Sequence, residues 1–242
     1  MILSTQGILL HTIKHSDSSA VLQIFTKEFG RKAYFLRGLS KKKNSPRSLL
    51  FPLAILDLQV TDRDNKSLQQ VRDISLARPT FELVSDPVKG CMTMFINEIL
   101  HKSIEQNYQN DVLYEFLENA IQLLDVTEHV KNFHLWFLLE LSKYFGFHPT
   151  RFSVATRKRI SFNLEAGEFT LETDLFGPHL DVSTSRELNN ILGMNFDTLS
   201  IHQMAPSARK ALLNGLVNYY IIHVPNLKNV AALDVLDTVF DF

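Results

Sequence analysis

The sequence predicts an α+β chain: a small five-stranded β-barrel over residues 1–79, then an all-helical domain over residues 80–242 interrupted by a small irregular or β-hairpin insert at about 148–182. Three observations carry this expectation. Up to Arg78-Pro79 the apolar residues come in short runs broken by polar turns; beyond it they recur at helical spacing. The formal charge also changes sign at the same place: residues 1–78 carry 13 Lys/Arg and 6 Asp/Glu, a net of +7, and residues 79–242 carry 12 and 20, a net of −8.

Taken in order, Gly7–Ile13 is a mixed apolar strand containing His11, and Ala20–Thr26 (AVLQIFT) is a clear one. Lys27-Glu-Phe-Gly30 supplies a turn, with glycine where a positive φ is cheap, and Arg31–Arg37 (RKAYFLR) returns as the hairpin partner. A polar loop, Gly38–Pro46, leads to strands at Pro52–Thr61 and Ser67–Leu76, joined by the turn Asp62–Lys66. Five short antiparallel strands in this length fit a closed Greek-key barrel of the OB type; an SH3-like barrel has a similar strand count.

Beyond the barrel, Val88, Cys91, Met92, Phe95, Ile96, Ile99 and Leu100 describe one face of a helix, with Asp86 as N-cap and Pro87 at the first helical position. Leu113 to Leu124 repeats the pattern. Val130–Phe145 is apolar nearly all round, which places it inside a bundle, and Gly146 and Pro149 end it. Ile160–Leu164 and Phe169–Leu171 flank Glu165-Ala-Gly167 as a hairpin, Thr184-Ser-Arg-Glu187 has capping-box spacing, and Pro206 opens the last long helix. The Leu227–Phe242 tail is apolar enough to dock.

The 242 residues are 45% hydrophobic and 21% charged, enough for one sizeable core or two modest ones. No apolar run reaches the roughly 20 residues of a membrane helix and the start has no secretory pattern, so no membrane association and a cytoplasmic location are expected. Cys91 is the sole cysteine and the nine histidines are scattered outside metal-binding spacings, so neither zinc nor another cofactor is expected. Gly-rich phosphate loops and nucleophile elbows are absent, which argues against an enzyme.

What remains is a binding protein with a polyanion-facing barrel. Arg31, Lys32, Tyr34 and Arg37 interleave cations with rings, the combination that tracks a phosphate backbone while stacking bases. Strand alternation sends Tyr34 and Phe35 to opposite faces, and Phe35 is expected in the core. Lys41, Lys42, Lys43 and Arg47 sit on the following loop, either tracking phosphates or forming a solvated turn. Arg157-Lys158-Arg159 either extends that path or guards a hairpin edge. The competing readings are an adaptor whose basic barrel takes acidic protein tails, and an RNA-binding protein.

In collinear order, Gly7-Ile-Leu-Leu10, Asp17 to Thr26, Phe29-Gly-Arg31, Leu36-Arg-Gly38, a basic segment before Leu50-Phe-Pro-Leu53, the Asp-Pro-started helix, the Gly146-terminated aromatic helix, the Pro-Ser-Ala-Arg209 helix and a closing Leu-Lys-Asn-Val segment resemble the RecO DNA-repair family across essentially the whole chain. The resemblance implies an OB-fold that binds single- and double-stranded DNA near the nucleoid, ATP-independent strand annealing, and help in loading a RecA-type recombinase. It further implies a helical domain that meets a RecR-type partner and the acidic C-terminal tail of the single-strand-binding protein. Lys131, Lys143, Arg151, Arg209 and Lys210 are the candidate cations for that tail. Some members carry a four-cysteine zinc module between the helices; residues 148–182 contain no cysteine, which removes the metal.

Overall fold

The computed structural model describes residues 2–39, 45–61, 66–152, 159–172 and 176–240. The chain divides into two compact units, Met1–Val126 and Thr127–Phe242. Strands give way to helices between Leu76 and Phe81, and the helices from Phe81 to Val126 belong to the first of these units.

The barrel strands are β1 (Ile2–Ser16), β2 (Ser19–Thr26), β3 (Gly30–Arg37), β4 (Ile55–Thr61) and β5 (Leu68–Leu76). They close in the order β1-β2-β3-β5-β4, antiparallel except for the β3–β5 seam, the topology of the expected OB barrel. Alternation drives the closure: Leu22, Ile24, Tyr34, Leu36, Leu56, Leu58 and Val60 point inward and are buried. Pro46–Leu49 forms a short 3-10 turn, and Leu49, Leu50 and Phe51 pack against the core. β1 is longer than the sequence suggested; its second half outruns the barrel, and His11–Ser18 are all exposed in a β1–β2 ribbon. Two bulges bend β1: Leu9 and His11 pair with Ile24 and Gln23, while Lys14 and Ser16 pair with Ala20 and Ser19.

Three helices complete this unit: α1 (Phe81–Ser85), α2 (Pro87–Ser103) and α3 (Asp111–Val126). The Asp86 carboxylate accepts from the Val88 and Lys89 N–H groups at 2.7 and 3.1 Å, and Pro87 occupies the first helical position, as the sequence predicts. Asp125 on α3 accepts from the Glu82 and Leu83 N–H groups and so caps α1. α2 lies on the barrel, where Asn97 Nδ2 donates to the Leu10 carbonyl at the first bulge. The α2–α3 loop bonds to the start of β3 on both sides, Arg31 N–H to Tyr108 O and Asn107 N–H to Arg31 O. Gly30 is obligatory there: its φ is +66°, and a Cβ would come within 2.3 Å of Tyr108 O.

The second unit holds α4 (Phe133–Phe145), the hairpin β6 (Ile160–Asn163) and β7 (Glu168–Leu171), α5 (Val182–Ile191), α6 (Phe196–Ser200), α7 (Pro206–His223) and α8 (Ala232–Phe240). α4 is buried on most sides and stops at Gly146, whose φ of +80° lets it and Phe147 bond back to Lys143 and Ser142. Tyr219 and Tyr220 on α7 donate to the Phe147 and Leu138 carbonyls at 2.5 Å each, tying α7 to α4. The insert is a hairpin fastened by rings: Phe162 pairs across the strands with Phe169, 5.0 Å between centroids, and meets Tyr219 edge-on at 5.3 Å. α5 starts earlier than the capping-box reading: Asp181, not Thr184, is the N-cap, accepting from Ser183 and Thr184. Thr184 is instead already helical.

Candidate nucleic-acid interface

Outward residues of β3 run Arg31, Ala33, Phe35, Arg37, and this row meets two different surroundings. At its start, α2 covers the sheet. Arg31 Nη1 donates to the His101 carbonyl at 2.6 Å and to the Ile104 carbonyl, the free acceptors at the C-terminus of α2, and Nη2 lies 3.2 Å from His101 Nδ1. A guanidinium only donates, so that nitrogen must accept, which requires a neutral ring. Burial first, then the charges of Arg31, His11 and Lys102, press the His101 pKa down to about 4, consistent with this. His11 stacks on the same ring at 4.6 Å.

At the far end the row is open. Phe35 is half-buried on the outer face, between His15, edge-on at 5.4 Å, and the Arg37 guanidinium, 5.3 Å from its centroid. Across the seam, Phe35 pairs with Gln70 and lines a cleft of about 230 Å³ with Arg37, Lys66, Leu68, Gln70 and Arg72. Arg72 reaches this side through a bulge, since Gln59 and Val60 pair with Asp73 and Val71 and leave it over. Among the described residues, no carboxylate lines the cleft. On another side of the barrel, Glu28, Asp57 and Asp73 line a cavity of about 420 Å³ with no lysine or arginine among the described residues. Among the described residues the barrel therefore offers a ring-floored basic cleft on one side and an acidic cavity on another.

Of the sequence-predicted contacts, Arg37 lies in the cleft. Arg31 does not: its guanidinium is spent on α2. Tyr34 is a correction, because it is fully buried in the barrel while Phe35 takes the outer face, the reverse of the expected assignment. Lys32 shares the inward parity of Tyr34 at the barrel end, its ammonium 5.4 Å from the Phe29 ring. Arg47 is exposed on the 3-10 turn, across the ribbon from Phe35, in a second cleft of about 230 Å³ with Lys14, Asp17 and Leu39. Lys41, Lys42 and Lys43 lie outside the described residues, as do Arg157 and Lys158; Arg159 pairs with Glu172 at 2.8 Å. Sequence reasoning missed Lys66, Arg72 and His15; a bulge and a parallel seam bring them together, and neither leaves a periodic signal.

In the second unit Arg209 is a correction. It is 8% exposed, donates to Asn132 Oδ1 and the Met204 carbonyl, and Asn132 in turn donates to Leu199 and His202 carbonyls. It pins a buried polar junction rather than rimming a groove. Lys131, Lys143, Arg151 and Lys210 are exposed, Lys143 beside Glu140 at 2.6 Å. Lys131 precedes α4 and Lys143 lies in its last turn.

Residues 1–80 match the family described as "Recombination protein O N terminal", and residues 84–230 match "Recombination protein O C terminal". The chain is 33% identical over 247 residues to the DNA repair protein RecO of Flavobacterium psychrophilum, covering 99% of this chain and 100% of that one. Identity to the DNA repair protein RecO of Flavobacterium johnsoniae is 31% over 246 residues, and to that of Phocaeicola vulgatus 28% over 242, each covering 99% of this chain and 100% of the relative.

Proposed function

Because the chain belongs to the RecO family of DNA-repair proteins, we propose that it is a non-catalytic repair and recombination mediator that binds single- and double-stranded DNA on its barrel and anneals complementary strands without ATP. The observation that carries this is the β3–β5 cleft, which sets a half-buried ring among Arg37, Lys66 and Arg72. Cations hold the phosphate path without reading sequence, and a ring accepts the face of any base. Lys41, Lys42 and Lys43 add charge to the β3–β4 connection of the same barrel. Two strands neutralised on one positive surface repel each other less, so pairing needs no nucleotide hydrolysis.

The family membership supports further partners: a RecR-type protein, the acidic tail of the single-strand-binding protein, and through them a RecA-type recombinase. Within the second unit, Lys131, Lys143, Arg151 and Lys210 keep exposed charge that can meet an acidic tail, and Arg209 ties the start of α7 to Asn132.

The test is annealing of two complementary oligonucleotides with EDTA present and no nucleotide. The protein should accelerate it, the acceleration should fade as salt rises, and Phe35→Ala should weaken single-strand binding by about 1–3 kcal/mol, the value of one base stacked on a ring. Annealing that needs ATP or a divalent ion refutes the mechanism. Displacement of acidic peptide but not of oligonucleotide by the same salt would favour the adaptor reading instead.

A further inference from the structure

The β1–β2 ribbon has two usable faces. The register pairs Ile13 with Val21 and Val21 with Phe35, so these three share one face, and the ring contact between His15 and Phe35 places His15 there too. Thr12, Lys14 and Ser16 alternate to the other face, where they line the second cleft with Leu39, Leu50 and Arg47. The floor there is buried core, Leu39 and Ala20, and the rim carries Lys14 and Arg47. Among the described residues, Asp17 is the sole carboxylate in that lining; it accepts from Lys14 at 2.7 Å and stands close enough to Arg47 to feel its charge. Both members of the Lys14–Asp17 pair are largely solvated, 73% and 98% exposed, so the pair is weak and a phosphate can replace the carboxylate.

The two clefts are similar in size and differ in chemistry. The first offers a ring and three cations, suited to an unpaired strand whose bases lie flat. The second has, among the described residues, two cations over an aliphatic floor and no ring, suited to a phosphate backbone whose bases point away. We propose that the ribbon is a two-sided strand holder, with one nucleic-acid strand stacked on the Phe35 face and a second held by its phosphates on the Lys14–Arg47 face. This rests on the nucleic-acid reading above and adds the reason annealing is efficient: one barrel carries both reactants, separated by the ribbon until their bases meet beyond its tip.

The experiment uses the full chain and two non-complementary oligonucleotides of about 8 nucleotides, within the span of one OB barrel, labelled as donor and acceptor. The wild-type protein should bind two per protomer with energy transfer between them. Lys14→Glu with Arg47→Glu, both at exposed positions, should bind one per protomer with affinity for the first strand within about twofold, while annealing slows about tenfold. The charge-conserving Lys14→Arg with Arg47→Lys should keep two. The proposal is overturned if the glutamate variant still binds two, if it loses the first strand along with the second, or if the wild type saturates at one. A wild type that binds no oligonucleotide overturns the nucleic-acid reading itself.

Discussion

Replacing Arg37, Lys66 and Arg72 together with glutamine tests the cleft most directly, because it removes charge while retaining polar side chains at exposed positions. Each phosphate contact on a single strand contributes about 0.7 to the slope of log K against log salt, so three lost contacts should shrink the slope by about 2.1. Between 50 and 200 mM salt, a fourfold change, the wild type should therefore lose about 18-fold more affinity than the variant. Fluorescence anisotropy with a labelled homopolymer strand across that range reads the slope. Lys66→Arg alone should leave the slope unchanged, because it keeps the charge, and an unfolding curve matching the wild type shows that the barrel survives. A triple variant that binds more weakly but with the wild-type slope would mean that these cations never met phosphate, and the site would have to move off the β3–β5 cleft.

Two further outcomes separate structural residues from binding ones. Arg31→Ala, which strips the α2 C-terminus of its guanidinium, should lower unfolding free energy by about 1.5–3 kcal/mol in denaturant titration, the range for a charged hydrogen bond, while the salt slope of DNA binding stays the same; a reduced slope with unchanged stability would return Arg31 to the DNA face. Hydrogen bonds from Ser183 and Thr184 hold the Asp181 carboxyl at about 2, below its unfolded value of about 3.9, so its stabilisation of α5 is complete above the unfolded pKa and is lost as pH falls towards 2. Asp181→Ala should cost about 1 kcal/mol at neutral pH, and the gap to wild type should close on acidification; a gap independent of pH between 5 and 2 would show that the carboxylate charge plays no part.

The barrel was legible because its inward rows, such as Leu22-x-Ile24 and Leu56-x-Leu58-x-Val60, repeat at the strand period, and the long helices because Asp86-Pro87 and Gly146 mark ends that only particular residues satisfy. Alternation also put Tyr34 and Phe35 on opposite faces. It could not say which face was inside, since a ring suits either, and the side chain with the hydroxyl went in. Arg31 and Arg209 looked like surface cations because charges in a sequence give no hint of a distant partner, the carbonyls ending α2 for Arg31 and the Asn132 amide for Arg209. The Arg31 acceptors lie 70 and 73 residues away, a separation no local pattern encodes. The cleft was hidden for the same reason: Phe35 and Arg72 meet only once the barrel has closed.

That closure is uneven. β1 and β4 meet through seven residue pairs, whereas β3 and β5 meet through three, Ala33 with Leu68, Tyr34 with Gln69 and Phe35 with Gln70. The short seam joins segments some thirty-five positions apart, so it closes a long loop for few bonds, and it is where the barrel should breathe first under hydrogen exchange. Any ligand that grips Phe35 and Arg72 together spans this weak join and can engage only the shut form. Occupancy would then protect the amides of Leu68 to Gln70, and at a concentration a hundred times its dissociation constant it would add about 2.7 kcal/mol to the unit's resistance to unfolding.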